Sequence, residues 1–369
     1  MNMDVLLAAL VEQKGSDLFI TVDAPPTLKV NGRLAPLGGS PLDKQGALAL
    51  VRESLDEAHF ERYLHTREAN YAIHREGLGR FRVSAFWQQD LPGMVLRRIE
   101  TRIPTFEELT LPLILQEVAM AKRGLVLFVG ATGAGKSTTQ AAMIGYRNQH
   151  GDGHILTVED PVEFVHQHGR CLVTQREVGI DTESFNVALK NSMRQAPDVI
   201  LIGEIRTQET MELAIQFAET GHLCLATLHA NNANQALDRI LHLVPQEKHR
   251  QFLFDLSFNL RAIVAQQLLP SLHGQRRVAA FEILLNTPLI TDIVRKGEVH
   301  RLKEVMTKSG ELGMQTFDQA LFALFCAGQI GYSEALAHAD SANDLRLLIK
   351  LSGREQLGAG TLDNVTLDE

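Results

Sequence analysis

Apolar and polar positions alternate along this chain in two distinct regimes. In the first hundred residues the apolar runs are short and mixed in period. Leu6, Leu7, Leu10 and Val11 stand at helical spacing, and Gly15 is placed to stop that helix. Asp17-Leu18-Phe19-Ile20-Thr21-Val22 reads as a strand. Thr27–Val30, followed by Asn31-Gly32, reads as one arm of a hairpin, because Asn-Gly supplies the positive φ angles of a tight turn. From Gly79 to Phe86 arginines alternate with apolar or small residues, the mark of a half-exposed strand, and Met94–Arg97 is expected to pair with it. These elements predict a mixed α/β domain over residues 1–100.

Residues 101–112, opening Thr101-Arg102-Ile103-Pro104-Thr105, read as a linker. A helix over Leu113–Met120 then opens a second domain in which strands and helices alternate. Leu125–Val129, Ile155–Val158, Val199–Ile202 and Leu223–Thr227 are apolar runs of strand length, the pattern of an α/β domain with a mainly parallel sheet. This core is expected over 113–276. From Arg277 the pattern turns mostly helical, giving a helical part over 277–350. A glycine-rich polar tail over 351–369 is expected to be disordered.

One segment carries chemistry outright. Gly130-Ala131-Thr132-Gly133-Ala134-Gly135-Lys136-Ser137 fills the pattern G-x-x-x-x-G-K-[ST], with a strand before it and a helical run, Thr138 to Gln149, after it. The glycines let the backbone turn its N–H groups inward, and those donors with the positive helix end hold phosphate oxygens. Lys136 is expected to reach the β and γ phosphates, and Ser137 to ligate Mg²⁺. The nucleotide-binding set is thus Gly130 to Thr138. Asp198-Val199-Ile200-Leu201-Ile202-Gly203-Glu204 is an apolar strand with an acid at its carboxyl end, where ligands of open α/β sheets sit. Glu204 is the candidate for the Mg²⁺ shell; a surface glutamate before a helix is the plainer alternative. Glu159-Asp160-Pro161-Val162-Glu163 follows another strand, and Asp-Pro also suits an ordinary turn. His222 and His229 bracket the Leu223–Thr227 strand and are candidates to sense a γ-phosphate, though strand-flanking histidines need no such role.

Composition narrows the classes. The 369 residues are 45% apolar and 22% charged, an ordinary globular balance, and the formal net charge of -8 argues against a globally basic nucleic-acid binder. Cys171, Cys224 and Cys326 form no C-x-x-C pair, so no zinc knuckle or disulfide framework is indicated. Asp4 precedes the short apolar stretch Val5–Val11 and no basic residue comes before Lys14, unlike a secretory signal. No run approaches the roughly 18 apolar residues of a membrane helix. A cytoplasmic protein without direct membrane insertion is expected, reaching a membrane only through partners.

Taken together, these segments resemble the secretion-ATPase superfamily, and within it the PilT/PilU branch of type IV pilus retraction ATPases, from Met1 to about Leu351. Gly130 to Ser137 resembles the Walker A, Glu159 to Glu163 the acidic Asp box, Ala196 to Arg206 the Walker B, and Thr220 to His229 the His box. The resemblance implies a PAS-like N-terminal domain, a RecA-like P-loop domain with a helical C-terminal part, and a homo-hexameric ring binding ATP and Mg²⁺. It implies that Glu163 polarises the attacking water while Glu204 organises Mg²⁺, two roles that could be exchanged. It also implies arginines of the first domain at the γ-phosphate, by position Arg82 and Arg97, with Arg80 and Arg98 behind them. The partners implied are a PilT-type retraction ATPase and an inner-membrane platform protein at the pilus base, with no nucleic acid. Membership of the retraction branch implies neither the four-cysteine motif nor the additional N-terminal domain of extension-type motors, and the three scattered cysteines agree with the first of these. The retraction-type motif Ala-Ile-Arg-Asn-Leu-Ile-Arg-Glu is altered here to Leu289-Ile290-Thr291-Asp292-Ile293-Val294-Arg295-Lys296. Arg194–Asp198, Leu228–Arg239 and Ser341–Arg346 resemble the accessory PilU group. An extension or type II secretion motor and a nucleotide-binding assembly module with little hydrolysis of its own remain the alternatives.

Overall fold

The computed structural model describes residues 2–30, 32–99, 102–272, 274 and 276–353. Asn31 of the hairpin turn, Thr101 of the linker and the tail beyond Gly353 lie outside the described residues. The chain forms two compact units. One is Met1–Ile103 with Val162–His166 and Glu177–Glu183; the other is Pro104–Pro161, Gln167–Arg176 and Ser184 onward.

In the first unit six strands, β1 (Asp17–Thr21), β2 (Thr27–Val30), β3 (Arg33–Pro36), β4 (Glu68–Arg75), β5 (Gly79–Gln88) and β6 (Leu91–Ile99), make one sheet of order β3-β2-β1-β6-β5-β4. Every neighbouring pair is antiparallel. The helices Met3–Glu12, Lys44–Glu53 and Glu57–Thr66 supply the rest. Alternation along β5 sorts its side chains by face. Phe81, Val83 and Ala85 join Leu6, Leu10, Leu18 and Leu96 in a buried core, which leaves Arg80, Arg82 and Ser84 on the opposite face.

In the second unit β7 (Gly124–Val129), β8 (Gly153–Glu159), β9 (Cys171–Glu177), β10 (Val199–Ile202), β11 (Leu223–Leu228), β12 (Leu260–Pro270) and β13 (Arg277–Leu285) form a sheet of order β13-β12-β7-β11-β10-β8-β9. The run from β12 to β8 is parallel. Every residue of β7, β10 and β11 is buried, because helices cover both faces of a parallel sheet. The expectation of a helical pattern from Arg277 is corrected: Arg277–Leu285 is a strand antiparallel to β12, and helices resume at Pro288. Among the described residues no helix is long and apolar enough to cross a membrane.

Candidate active site

The loop Gly130–Ser137 leaves the carboxyl end of β7 and runs into the helix Lys136–His150. Two of its glycines serve one need. Gly130 has φ 147°, and a Cβ there would stand 2.5 Å from the Gln266 carbonyl oxygen. A Cβ on Gly135, at φ 88°, would stand 2.8 Å from the Gln266 side-chain nitrogen. Both positions admit the close approach of β12. Gln266, on β12 and 3% exposed, then accepts a hydrogen bond from Thr139 Oγ1 at 2.9 Å, which ties the helix start to that strand.

Lys136 is 8% exposed, and its Nζ donates to the carbonyl oxygens of Gly130 at 2.8 Å and Ala131 at 2.9 Å. The ammonium therefore lies within the curve of the loop. The helix begins at Gly135 with no side-chain cap, whereas Ser184, Thr207 and Asn232 cap other helices of this unit through side-chain oxygens. First-turn amides that no side chain meets, at the positive end of a helix, bind anions. Ser137 and Thr138 stand half-buried in that turn, while Thr132 and Gly133 are exposed. Buried cation, uncapped amides and first-turn hydroxyl fit a nucleotide polyphosphate with a divalent cation. Two cavities flank the loop. One of about 340 Å³ is lined by Gly130–Ala134, Asn231, Gln267, Arg277 and His338. The other, about 430 Å³, is lined by Thr138, Leu111, Leu268, Arg276, Arg277 and Leu324.

Strand order decides what faces the loop. β11 lies beside β7 and β10 one strand further, so residues leaving β10 are about 10 Å away across the sheet. Glu204 leaves β10 there, 13% exposed, paired with Arg206 and with His229 Nε2 at 3.4 Å. Glu159, the last residue of β8, accepts from Thr157 Oγ1 at 2.6 Å and Gln175 Nε2 at 3.3 Å. A Cβ on Gly203 would meet Glu159 Cα at 3.1 Å, so glycine lets these two strand ends approach.

His222 does not join this group. β11 runs parallel to β7, and the Gly124 N–H at the start of β7 donates to the His222 carbonyl. About 20 Å of strand separates the two histidines. The candidate pair is corrected accordingly: His229 stands at the loop's end of the sheet, and His222 at the far end, its Nδ1 beside Thr220 Oγ1 and the Phe217 carbonyl.

The other candidates belong to the first unit. Glu163 is exposed within Val162–His166. Arg82 and Arg97 stand directly opposite each other on β5 and β6, where like charges repel. Asp17, 3% exposed, accepts from Arg97 Nε at 2.7 Å. Arg80 reaches the buried Glu177 at 3.3 Å. Arg82 makes no ion pair among the described residues. Burial pushes the Glu177 carboxyl above its ordinary value, against the pull of the Val162 amide, Arg80 and Arg82. Of the two arginines, Arg82 is the one whose charge is not already matched by a contacting acid.

Sequence reading gave no role to Asn231, though it lies in the Leu228–Arg239 stretch, and missed Gln266 and Arg277, which no motif marks, and also Glu282 on β13. Burial pushes the Glu282 carboxyl up to about 7, with the nearby Asp340 adding to the rise. Its folded pKa exceeds its unfolded one of about 4.5, so the folded state holds the proton longer. Stability on this account is full below about pH 4.5 and falls as pH rises through 7, by at most about 3 kcal/mol. Glu282→Gln should remove that fall: urea melts at pH 5.5 and 8.5 should differ less for the variant than for the parent.

Residues 80–313 match the family model described as type II/IV secretion system protein. The chain is 61% identical to the type IV pilus ATPase PilU of Pseudomonas aeruginosa over 95% of this chain and 92% of that one. It is 39% identical to the type IV pilus retraction ATPase PilT of the same organism, over 91% of this chain and 97% of that one. The crystal structure of the pilus retraction motor PilT with bound ADP matches 94% of this chain and 99% of that chain, with a TM-score of 0.88 and 35% identity.

Proposed function

We propose that this chain, which belongs to the type II/IV secretion system protein family, is an ATPase whose turnover drives type IV pilus retraction beside a PilT-type motor. The observation that carries the reading is the glycine loop around buried Lys136 with His229 one strand away and Glu204 two. The 61% likeness to a pilus ATPase supports the pilus as the object moved. In this proposal Lys136 and the first-turn amides hold the β and γ phosphates. Ser137 and Glu204 would hold Mg²⁺, which when bound offsets charge on the phosphate oxygens. Glu163 orients the attacking water, and His229, through its pair with Glu204, responds to the γ-phosphate. The first unit acts as a PAS-like domain whose Arg82 and Arg97 bring positive charge to that phosphate. Six copies form the working ring at the cytoplasmic side of the inner membrane, against a platform protein at the pilus base.

One observation favours the accessory role. Asp292 holds both Arg295 and Lys296 on its own helix at 2.6 Å each. The retraction-type motif has arginine at 291, asparagine at 292 and glutamate at 296, so this chain presents a different charge pattern on that helix. A chain with this altered pattern is suited to assist another motor.

The test is ATP turnover by the purified protein against Glu204→Ala, each alone and mixed with a PilT-type partner. A loss of at least about 100-fold in the variant supports the reading. Equal, background-level turnover of parent and variant would replace it with a nucleotide-binding assembly module. Arg82→Ala should lower kcat by about 10³-fold, with a smaller loss for Arg97→Ala, since Arg97 is already matched by Asp17. Equal losses would remove the distinction between the two arginines.

A further inference from the structure

Glu282 sits in the middle of β13 with 1% of its surface exposed. Carboxylates are almost never fully buried without a partner that explains them. One oxygen, Oε1, accepts a hydrogen bond from the Ala233 N–H at 2.8 Å, and Oε2 has no hydrogen-bond partner among the described residues. Ala233 is the first residue of the helix Ala233–His242. The amide of Phe317, first residue of the helix Phe317–Cys326, also pulls on the carboxylate. Two helix N-termini thus converge on one buried acid, an arrangement their dipoles favour. Neither helix needs it as a cap, because Asn232 and Thr316 already cap them.

What the acid does hold is the exit of a short loop. β11 ends at Leu228 and the helix begins at Ala233. Of the residues between, His229 pairs with Glu204, and Asn231 lines the cavity at the phosphate loop. A loop this short takes its course from its two ends. One end is a fully buried strand, and the other is the amide that Glu282 grips. We propose that Glu282 is a positioning residue for ATP turnover: it pins the first turn of the helix Ala233–His242 and so holds His229 and Asn231 at the phosphate loop.

The surroundings agree with a fixed junction. Asn232 Nδ2 donates to Asp340 at 3.3 Å, Lys303 pairs with Asp340, and Asp318 accepts from the Asp340 N–H at 2.8 Å. Asp340 and Lys303 are the charged groups that face Glu282, and their effects on it oppose each other. The helices after β13 are thereby joined to the same residues that meet the nucleotide site.

The catalytic part of this inference rests on the ATPase reading; the mechanical part does not, and the experiment separates them. Full-length Glu282→Ala, Glu282→Gln and Asp318→Asn are compared with the parent by hydrogen exchange over 229–240 and by kcat and KM for ATP. Loss of one buried hydrogen bond should speed exchange at 229–236 by about tenfold in Glu282→Ala, with a fall in kcat of at least about tenfold. Glu282→Gln keeps an oxygen for the Ala233 N–H and should restore both within about threefold. Asp318→Asn, on the far side of the junction, should loosen 338–341 and leave kcat within about threefold, which a general loss of stability would not do. Unchanged exchange in Glu282→Ala, failure of glutamine to rescue, or an equal kcat loss in Asp318→Asn would each overturn the proposal. A parent without turnover would sink the ATPase reading, while the exchange data would still decide whether Glu282 pins the helix.

Discussion

Lys136→Ala should cut steady-state ATP turnover by at least about 100-fold and leave the melting temperature within a few degrees of the parent. The two expectations come from the same contacts. Lys136 is buried within the loop's curve and held by the carbonyls of Gly130 and Ala131. When a triphosphate binds, the ammonium has charge to exchange those carbonyls for, and a charge-assisted bond strengthened in the transition state is worth about 3 kcal/mol. Without nucleotide, the alanine variant loses the bonds to the Gly130 and Ala131 carbonyls. Ala131 is exposed, so water replaces one of them. A drop in turnover with an unchanged melt therefore separates a chemical role from a structural one. If turnover survives the substitution, the phosphate loop is not the site.

Gly130→Ala should have the opposite signature: a large loss of stability together with loss of nucleotide binding. The added methyl would lie 2.5 Å from a backbone oxygen of β12, which has no rotamer to move into. The φ of 147° adds strain for any side chain. We expect about 3 kcal/mol or more, a fall of roughly 4 °C or more for a chain of 369 residues. Gly133→Ala is the comparison: φ is 79° there, but nothing lies within 4 Å, so only the backbone term of about 1–2 kcal/mol applies. Thermal melts of the two variants, with nucleotide titrations, check both. Equal shifts would mean that the contact with β12 does not shape the loop.

The phosphate loop was legible because each position answers a local demand: glycine where φ is positive, lysine to reach phosphate, a strand before and a helix after. The four strands read as apolar runs, at 125–129, 155–158, 199–202 and 223–227, are β7, β8, β10 and β11 to within a residue or two. In the first unit β1, β2, β5 and β6 were also read from their patterns, whereas β3, β4, β9, β12 and β13 were not, because tertiary pairing decides them. Arg277–Leu285 contains alanines, leucines and a glutamate, all good helix formers, yet pairing with β12 along its whole length overrides that preference. Gln266 bonds to Thr139 across 127 positions of sequence, a separation over which a single sequence carries no signal. The histidine pair splits for a simpler reason: residues that flank a strand lie at its opposite ends, and a parallel sheet keeps its chemistry at one of them, the end where His229 stands. Glu282 reads as one more helix former; only burial and the Ala233 amide reveal it.

The grip of Gln266 on Thr139 and on the loop glycines has a consequence for how the chain matures during synthesis. The motif at Gly130–Ser137 leaves the ribosome long before β12, which begins at Leu260. Until that strand docks, Thr139 lacks its acceptor and the crowded side of Gly130 faces no wall. Nascent chains arrested before residue 260 should therefore fail to retain nucleotide although they carry the whole motif, and retention should appear only once residues up to about 270 have emerged.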